Sequence, residues 1–141
     1  MRSMSNCKLV TNNPLCRAVF TGICPVEFVA ADSCLSMLIR VRDMVYAGYR
    51  LYTHPLSGSV KPNETPYKSL LLSRSAGTPD SAEVLMMADA VATAEKLKKR
   101  ERHYSEKVLS DFQLIDYTLI AGAMDFDAAE GLQRLREKEG L

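Results

Sequence analysis

Residues 69–73 read Ser-Leu-Leu-Leu-Ser, three bulky apolar side chains between two small polar ones. The run is too short for a helix and too apolar for a strand with one wet face, so it predicts a strand near the centre of a sheet. Such a strand needs partners on its edges and helices on its faces. The rest of the chain offers both. Residues 7–11, 25–30 and 49–53 are short runs of strand character, and Asn12, Asn13 and Pro14 end the first of them with turn chemistry. Residues 15–21 suit a helical turn or an irregular crossing, which Gly22 breaks.

Helical periodicity fills the intervals. Asp32 or Ser33 can cap a helix whose Leu35, Leu38, Val41 and Val45 recur at three and four residues, with Gly48 placed for a left-handed C-terminal cap. Pro79 and a capping box of Asp80 with Glu83 open a second helix carrying Val84, Met87, Ala88, Val91 and Ala94 on one face. Ser105 caps a third, whose predicted core stripe is Val108, Leu109, Phe112, Ile115 and Leu119. Residues 125–140 suggest a last, mostly charged helix. Strands alternating with helices predict an α/β domain: a small, mostly parallel sheet of about four strands covered by helices, with a helical C-terminal region. The direction of the fourth strand stays open, since the long loop before it also permits an antiparallel return. The expected organisation is one domain over residues 7–123, a peripheral C-terminal helix over 124–141 and a disordered leader over 1–6.

Bulk properties narrow the function classes. With 141 residues, 47% hydrophobic and 25% charged, the chain can bury a core. A net charge of +1 gives no global field for nucleic acid or a membrane surface. The basic run at 96–102 is explained by a solvated helix end, because cations favour the C-terminal dipole and no aromatics are interleaved. There is no apolar run near the roughly 20 residues of a membrane span, and no secretory signal at the N-terminus, so a cytoplasmic protein is expected. Cys7, Cys16, Cys24 and Cys34 lie 9, 8 and 10 residues apart with no histidine near them. That spacing suits neither zinc nor a disulfide framework, and four free thiols are expected, Cys7 and Cys34 as small core residues in apolar patterns, with no metal and no cofactor.

The chemistry-bearing segment is 53–69. It is long for a connection, stiffened by Pro55, Pro62 and Pro66 and freed at Gly58. Ser57, Gly58 and Ser59 can present N–H groups and hydroxyls to an anion such as phosphate, and Lys61 and Lys68 can supply charge. His54 and Glu64 can move protons, and Tyr67 can donate a hydrogen bond. Asn63 and Thr65 complete the candidate set, with Asn12 and Asn13 from the first turn. In a parallel sheet this loop, the Asn12–Asn13 turn and the Asp32–Ser33 cap all leave carboxyl ends of strands, the rim where open α/β sheets place ligands. The same residues also suit a structural or partner-docking loop, since turn chemistry needs no ligand. Dinucleotide, P-loop, zincin and nucleophile-elbow signatures are absent. Asp111 and Asp116 can be read as paired acids, though a solvated face or a capping use explains them more simply.

Four stretches carry a family resemblance: residues 11–14 (Thr-Asn-Asn-Pro), 41–43 (Val-Arg-Asp), 53–69, and 111–117 (Asp-Phe-Gln-Leu-Ile-Asp-Tyr). In these the chain resembles the GrdX family, over roughly residues 8 to 120. The resemblance implies an accessory protein of the glycine, sarcosine and betaine reductase systems, which make acetyl phosphate through selenium and thiol chemistry in anaerobic cytoplasm. It implies a reductase subunit as partner and a role in assembly, maturation or regulation, and it brings no catalytic residues with it. The cysteines lie outside the matching stretches and form no thiol pair. The alternative is a small-molecule or phosphate-binding domain, or an enzyme, built on His54, Ser57, Ser59 and Lys61.

Overall fold

The computed structural model describes residues 6–56, 65–97 and 103–140. Among these the elements run β1 (Cys7–Thr11), α1 (Pro14–Phe20), β2 (Val26–Phe28), α2 (Cys34–Tyr46), β3 (Ser69–Ser73), α3 (Ser81–Lys96), α4 (Glu106–Ala123) and α5 (Ala128–Lys138). Every helix opens on a side-chain cap. Asn13, Ser33, Asp80, Ser105 and Asp127 each accept a hydrogen bond from a first-turn backbone N–H. Pro14 at the first helical position settles residues 15–21 as mostly α1.

The sheet is α/β as expected but smaller and mixed. It has three strands in the order β2-β1-β3, so β1, not β3, is central. β1 pairs parallel with β2 and antiparallel with β3, Thr11 standing opposite Ser69 and Cys7 opposite Ser73. The predicted four mostly parallel strands are therefore three, with one parallel pairing. Residues 49–53 make only an isolated antiparallel bridge, Leu51 to Leu72.

The reason lies in the donors. Tyr52 N–H reaches Leu71 O at 2.8 Å and Ser73 N–H reaches Arg50 O at 2.8 Å. The reciprocal bonds go to side chains: Leu71 N–H to Thr53 Oγ1 at 3.1 Å, and Arg50 N–H to Ser73 Oγ at 2.9 Å. Outward-facing Leu51 N–H is taken by Glu83 Oε1 at 2.6 Å, and Arg50 holds that same carboxylate at 2.8 Å. Glu83 thus serves the sheet edge rather than the reciprocal half of a capping box. Side-chain oxygens satisfy the backbone without completing a ladder.

Side chains alternate across the sheet and build two cores. Val10, Leu70 and Leu72 pack under α2 and α3 with Leu38, Val41, Val45, Met87 and Val91. Leu9, Leu71 and Cys7 face Phe20, Tyr117, Ile120 and Met124 of the α1, α4 and α5 layer. The predicted inner faces of α2 and α3 agree closely with the buried ones. That of α4 does not. Asp116, Tyr117, Ile120 and Ala121 are buried, whereas Val108, Ile115 and Leu119 of the predicted stripe are exposed. Tyr117 decides the rotation: its ring lies 5.7 Å from Phe20 and its hydroxyl donates to Ala128 O at 2.7 Å. All four cysteines are buried free thiols. Among the described residues no helix is long and apolar enough to cross a membrane.

Gly48 follows α2 at φ +111°, and a Cβ there would stand 1.9 Å from Gly77 O. The two glycines are joined by a 2.9 Å bond from Gly77 N–H to Gly48 O. Both the backbone angle and the contact require glycine. Gly48→Ala is expected to destabilise the fold by more than about 2 kcal/mol, measured by urea unfolding.

Candidate functional site

Because β3 runs antiparallel to β1, it begins where β1 ends. The carboxyl ends of β1, β2 and the 49–53 segment still lie on one rim, because that segment bridges β3 antiparallel and so runs in the direction of β1. The Asn12–Asn13 turn, the segment after β2 and the last residues of the long loop come together there. Asn12 is the junction. Its Nδ2 donates to Ala31 O at 3.0 Å and to Pro66 O at 2.7 Å, and its Oδ1 accepts from Lys68 N–H at 2.9 Å. One amide side chain thereby stitches the exit of β2 to the entry of β3.

Beneath Asn12 lies a polar cluster around the carboxylate of Asp116. Ser69 Oγ donates to Asp116 Oδ2 at 2.7 Å and Asn13 Nδ2 to the same oxygen at 3.0 Å; the Cys16 thiol approaches it at 3.8 Å. Thr11 Oγ1 stands 2.7 Å from Ser69 Oγ and accepts from Asn13 N–H at 2.9 Å. With the Ser69 hydroxyl proton committed to Asp116, the Thr11 hydroxyl donates to Ser69, giving an aligned Thr11–Ser69–Asp116 chain. Asn13 also donates to Gln113 O at 2.9 Å, and Gln113 Nε2 reaches the Tyr67 hydroxyl at 2.9 Å. Thr11, Asn13 and Ser69 are buried, and Asp116 is 9% exposed. Among the described residues every buried side-chain N or O atom has a partner.

The electrostatics follow from this burial. Desolvation pushes the Cys16 thiol far up, and the neighbouring Asp116 charge adds to it; hydrogen bonds from Ser69 and Thr11 do not reverse the effect. Cys16 is a protonated donor at neutral pH, not a thiolate nucleophile. Burial lowers the pKa of Lys68, with Cys34 and Asp116 acting the other way. A carboxylate thus lies under the rim and an ammonium group at its edge.

Of the sequence-predicted residues, Asn12, Asn13, Thr65, Tyr67 and Lys68 are brought to this rim. Thr65 Oγ1 accepts from Tyr67 N–H at 3.2 Å, turning the chain into β3. His54 is not joined to them by any hydrogen bond among the described residues; its Nδ1 accepts from Leu56 N–H at 3.1 Å. Ser57, Gly58, Ser59, Lys61, Asn63 and Glu64 lie outside the described residues. Sequence reasoning misses Thr11, Ser69, Cys16 and Gln113, and it takes Asp116 for a solvated or capping residue beside Asp111. Asp111 is on the surface, 3.7 Å from Lys107. The available signal is position: Asp111 and Asp116 are five residues apart, about 140° around the helix, so the two acids do not share one face.

The sequence profile of the family described as GrdX-like protein matches residues 8–125. The chain belongs to the GrdX-like family. The match runs from β1 to the end of α4, so the sheet, the rim and the Asp116 cluster all lie within the GrdX-like region. No curated protein matches the chain, and no solved structure does.

The Asp116 cluster and the buried thiols of this GrdX-like protein can each be tested. Asp116→Ala strands the Asn13 amide and the Ser69 hydroxyl in a buried site and should destabilise by about 2–5 kcal/mol, read from urea unfolding. The thiols make stability depend on pH. Burial and the nearby Cys7 raise the Cys24 thiol to about 11, and Cys16 is raised further still. Raised folded-state values mean stability that is complete below the ordinary thiol range and lost as pH rises, because the unfolded chain ionises first. The melting temperature should fall steadily above about pH 9, and Cys16→Ala should make that fall shallower.

Proposed function

We propose that this GrdX-like protein is an accessory component of a glycine reductase-type system. It would act in assembly, maturation or regulation by docking a reductase subunit at the rim where β1 and β2 end and β3 begins. The observation that carries this reading is the family match, which spans the whole sheet and rim. The geometry agrees with a binding role in one respect. The polar side chains of the rim are spent on fixing backbone: Asn12 ties three segments, Asn13 caps α1, and Asp116 gathers their donors. Such a clamp gives the loop leaving at 53 and returning at 69 a fixed base, and rigid bases suit loops that dock partners. A cytoplasmic setting belongs to the same reading.

A small anion at the same rim is the second reading, favoured by Lys68. Its ammonium group is disfavoured by burial, and a bound phosphate or carboxylate would offset that desolvation.

Affinity-tagged protein expressed in a host fermenting glycine should co-purify a reductase subunit, identified by mass spectrometry. Lys68→Glu should weaken that capture at least about tenfold; because it also sets a carboxylate near Asp116, Lys68→Gln is the control, removing the desolvated charge and weakening capture while the melting temperature moves little. Capture equal to that of an unrelated tagged protein would sink the docking reading. Millimolar phosphate raising the melting temperature of the parent, but not of Lys68→Glu, would favour the anion instead.

A further inference from the structure

We propose that α4 pairs with α4 of a second copy of this chain, antiparallel, across the face centred on Ile115. Val108, Phe112, Ile115, Leu119 and Gly122 recur at intervals of 4, 3, 4 and 3 residues, the spacing of an apolar helix–helix seam. That periodicity alone predicts burial. The fold instead turns most of the seam outward: Val108 is 37% exposed, Ile115 42% and Leu119 44%, with Leu114 alongside at 44%, while Phe112 is half-buried with its ring 5.2 Å from Tyr104. The sheet takes the opposite side of the helix through Tyr117 and Ile120.

Gly122 supports a second helix as the cover. It lies in the last turn of α4 with ordinary helical backbone, and an added Cβ would meet nothing within 4 Å. The residue that adopts the left-handed angle at this helix end is Asp125, at φ 56°. Among the described residues no close contact calls for a glycine at 122, where alanine would favour the helix. Antiparallel pairing about Ile115 sets position 108 of one chain opposite 122 of the other, so Val108 enters the space that Gly122 leaves.

Charge selects the direction. Lys107 at the start of the seam is highly exposed, 3.7 Å from Asp111 of its own helix in a solvent-screened pair, and Asp125, also exposed, lies at the negative end of the helix dipole. The antiparallel arrangement brings each Lys107 near the partner's negative helix end twice over, whereas a parallel one would stack like charges. A helix of 18 residues spans about 27 Å, so the pair buries less than the roughly 1,200–2,000 Å² of a stable interface. The dimer is accordingly weak and reversible.

Sedimentation equilibrium from about 5 to about 500 μM should show the mass rising from 15.7 kDa toward twice that value. Ile115→Asp should weaken association by about tenfold or more, through a charge placed in the seam. Gly122→Leu should also weaken it, although its side chain enters open space in the monomer. Circular dichroism melts of both variants close to the parent would show that the monomer is intact. A parent that remains monomeric at the highest concentration overturns the proposal, and so does a dimer indifferent to both substitutions. If the parent is monomeric while Ile115→Asp loses the co-purified reductase subunit, the face belongs to a different protein and self-pairing is wrong.

Discussion

The carboxylate of Asp116 holds the end of β1, the start of β3 and the middle of α4 in one place. Ser69 and Asn13 each give it a hydrogen bond, and Thr11 aligns Ser69 from behind. A buried charge of this kind is costly unless its donors are supplied in good geometry. Once they are, any slip of β3 against β1 would remove Ser69 from its acceptor and take one of the donors from the buried carboxylate. The register that sets Thr11 opposite Ser69 is therefore fixed by polar chemistry as well as by the alternation of Leu9, Val10, Leu70 and Leu71. Asn12, one residue further on, extends the same logic to the segments after β2 and before β3.

Much of this architecture is legible in the residues because it rests on local rules. The helix starts at Ser33, Asp80 and Ser105 come from capping chemistry, and the inner faces of α2 and α3 from spacing. The burial of Cys7 and Cys34 is legible from their apolar context, whereas that of Cys16 and Cys24 is not. The strand count is not, because residues 49–53 have strand composition yet lose half their ladder to Thr53, Ser73 and Glu83. Those competing acceptors are recognised only once the chain is folded. The direction of β3 has a similar cause: the sixteen residues 53–68 impose no geometry on the strand after them, and right-handed crossover rules apply only to parallel returns.

The rim shows a different kind of partial legibility. It lies at the carboxyl ends of β1, β2 and the 49–53 segment, and the antiparallel β3 adds its entry there, because an antiparallel strand enters at the edge where its neighbour leaves. Asn12 and Asn13 have the chemistry for ligand contact, but their side chains are committed to backbone groups and to Asp116. Asparagine is favoured at turns for this ability to bond nearby backbone, and sequence alone does not separate that use from ligand binding. Asp116 is harder to read, since a single aspartate in an amphipathic helix is usually on its wet side.

The misreading of α4 and the unexplained face of α4 have one origin. Successive residues on a helix are turned by about 100°, so burying Asp116 and Tyr117 sends Ile115 and Leu119 toward the opposite side. An apolar residue at 116 would let the helix choose the face with the longer apolar seam. The aspartate removes that choice, since Ser69 and Asn13 wait for it at the rim and Tyr117 has its own acceptor in Ala128 O. A polar clamp thus overrides hydrophobic periodicity and directs a seam of core-like character into solvent. Surfaces of that kind persist most readily where a partner covers them, which makes the orientation of α4 a consequence of the site as much as of the core.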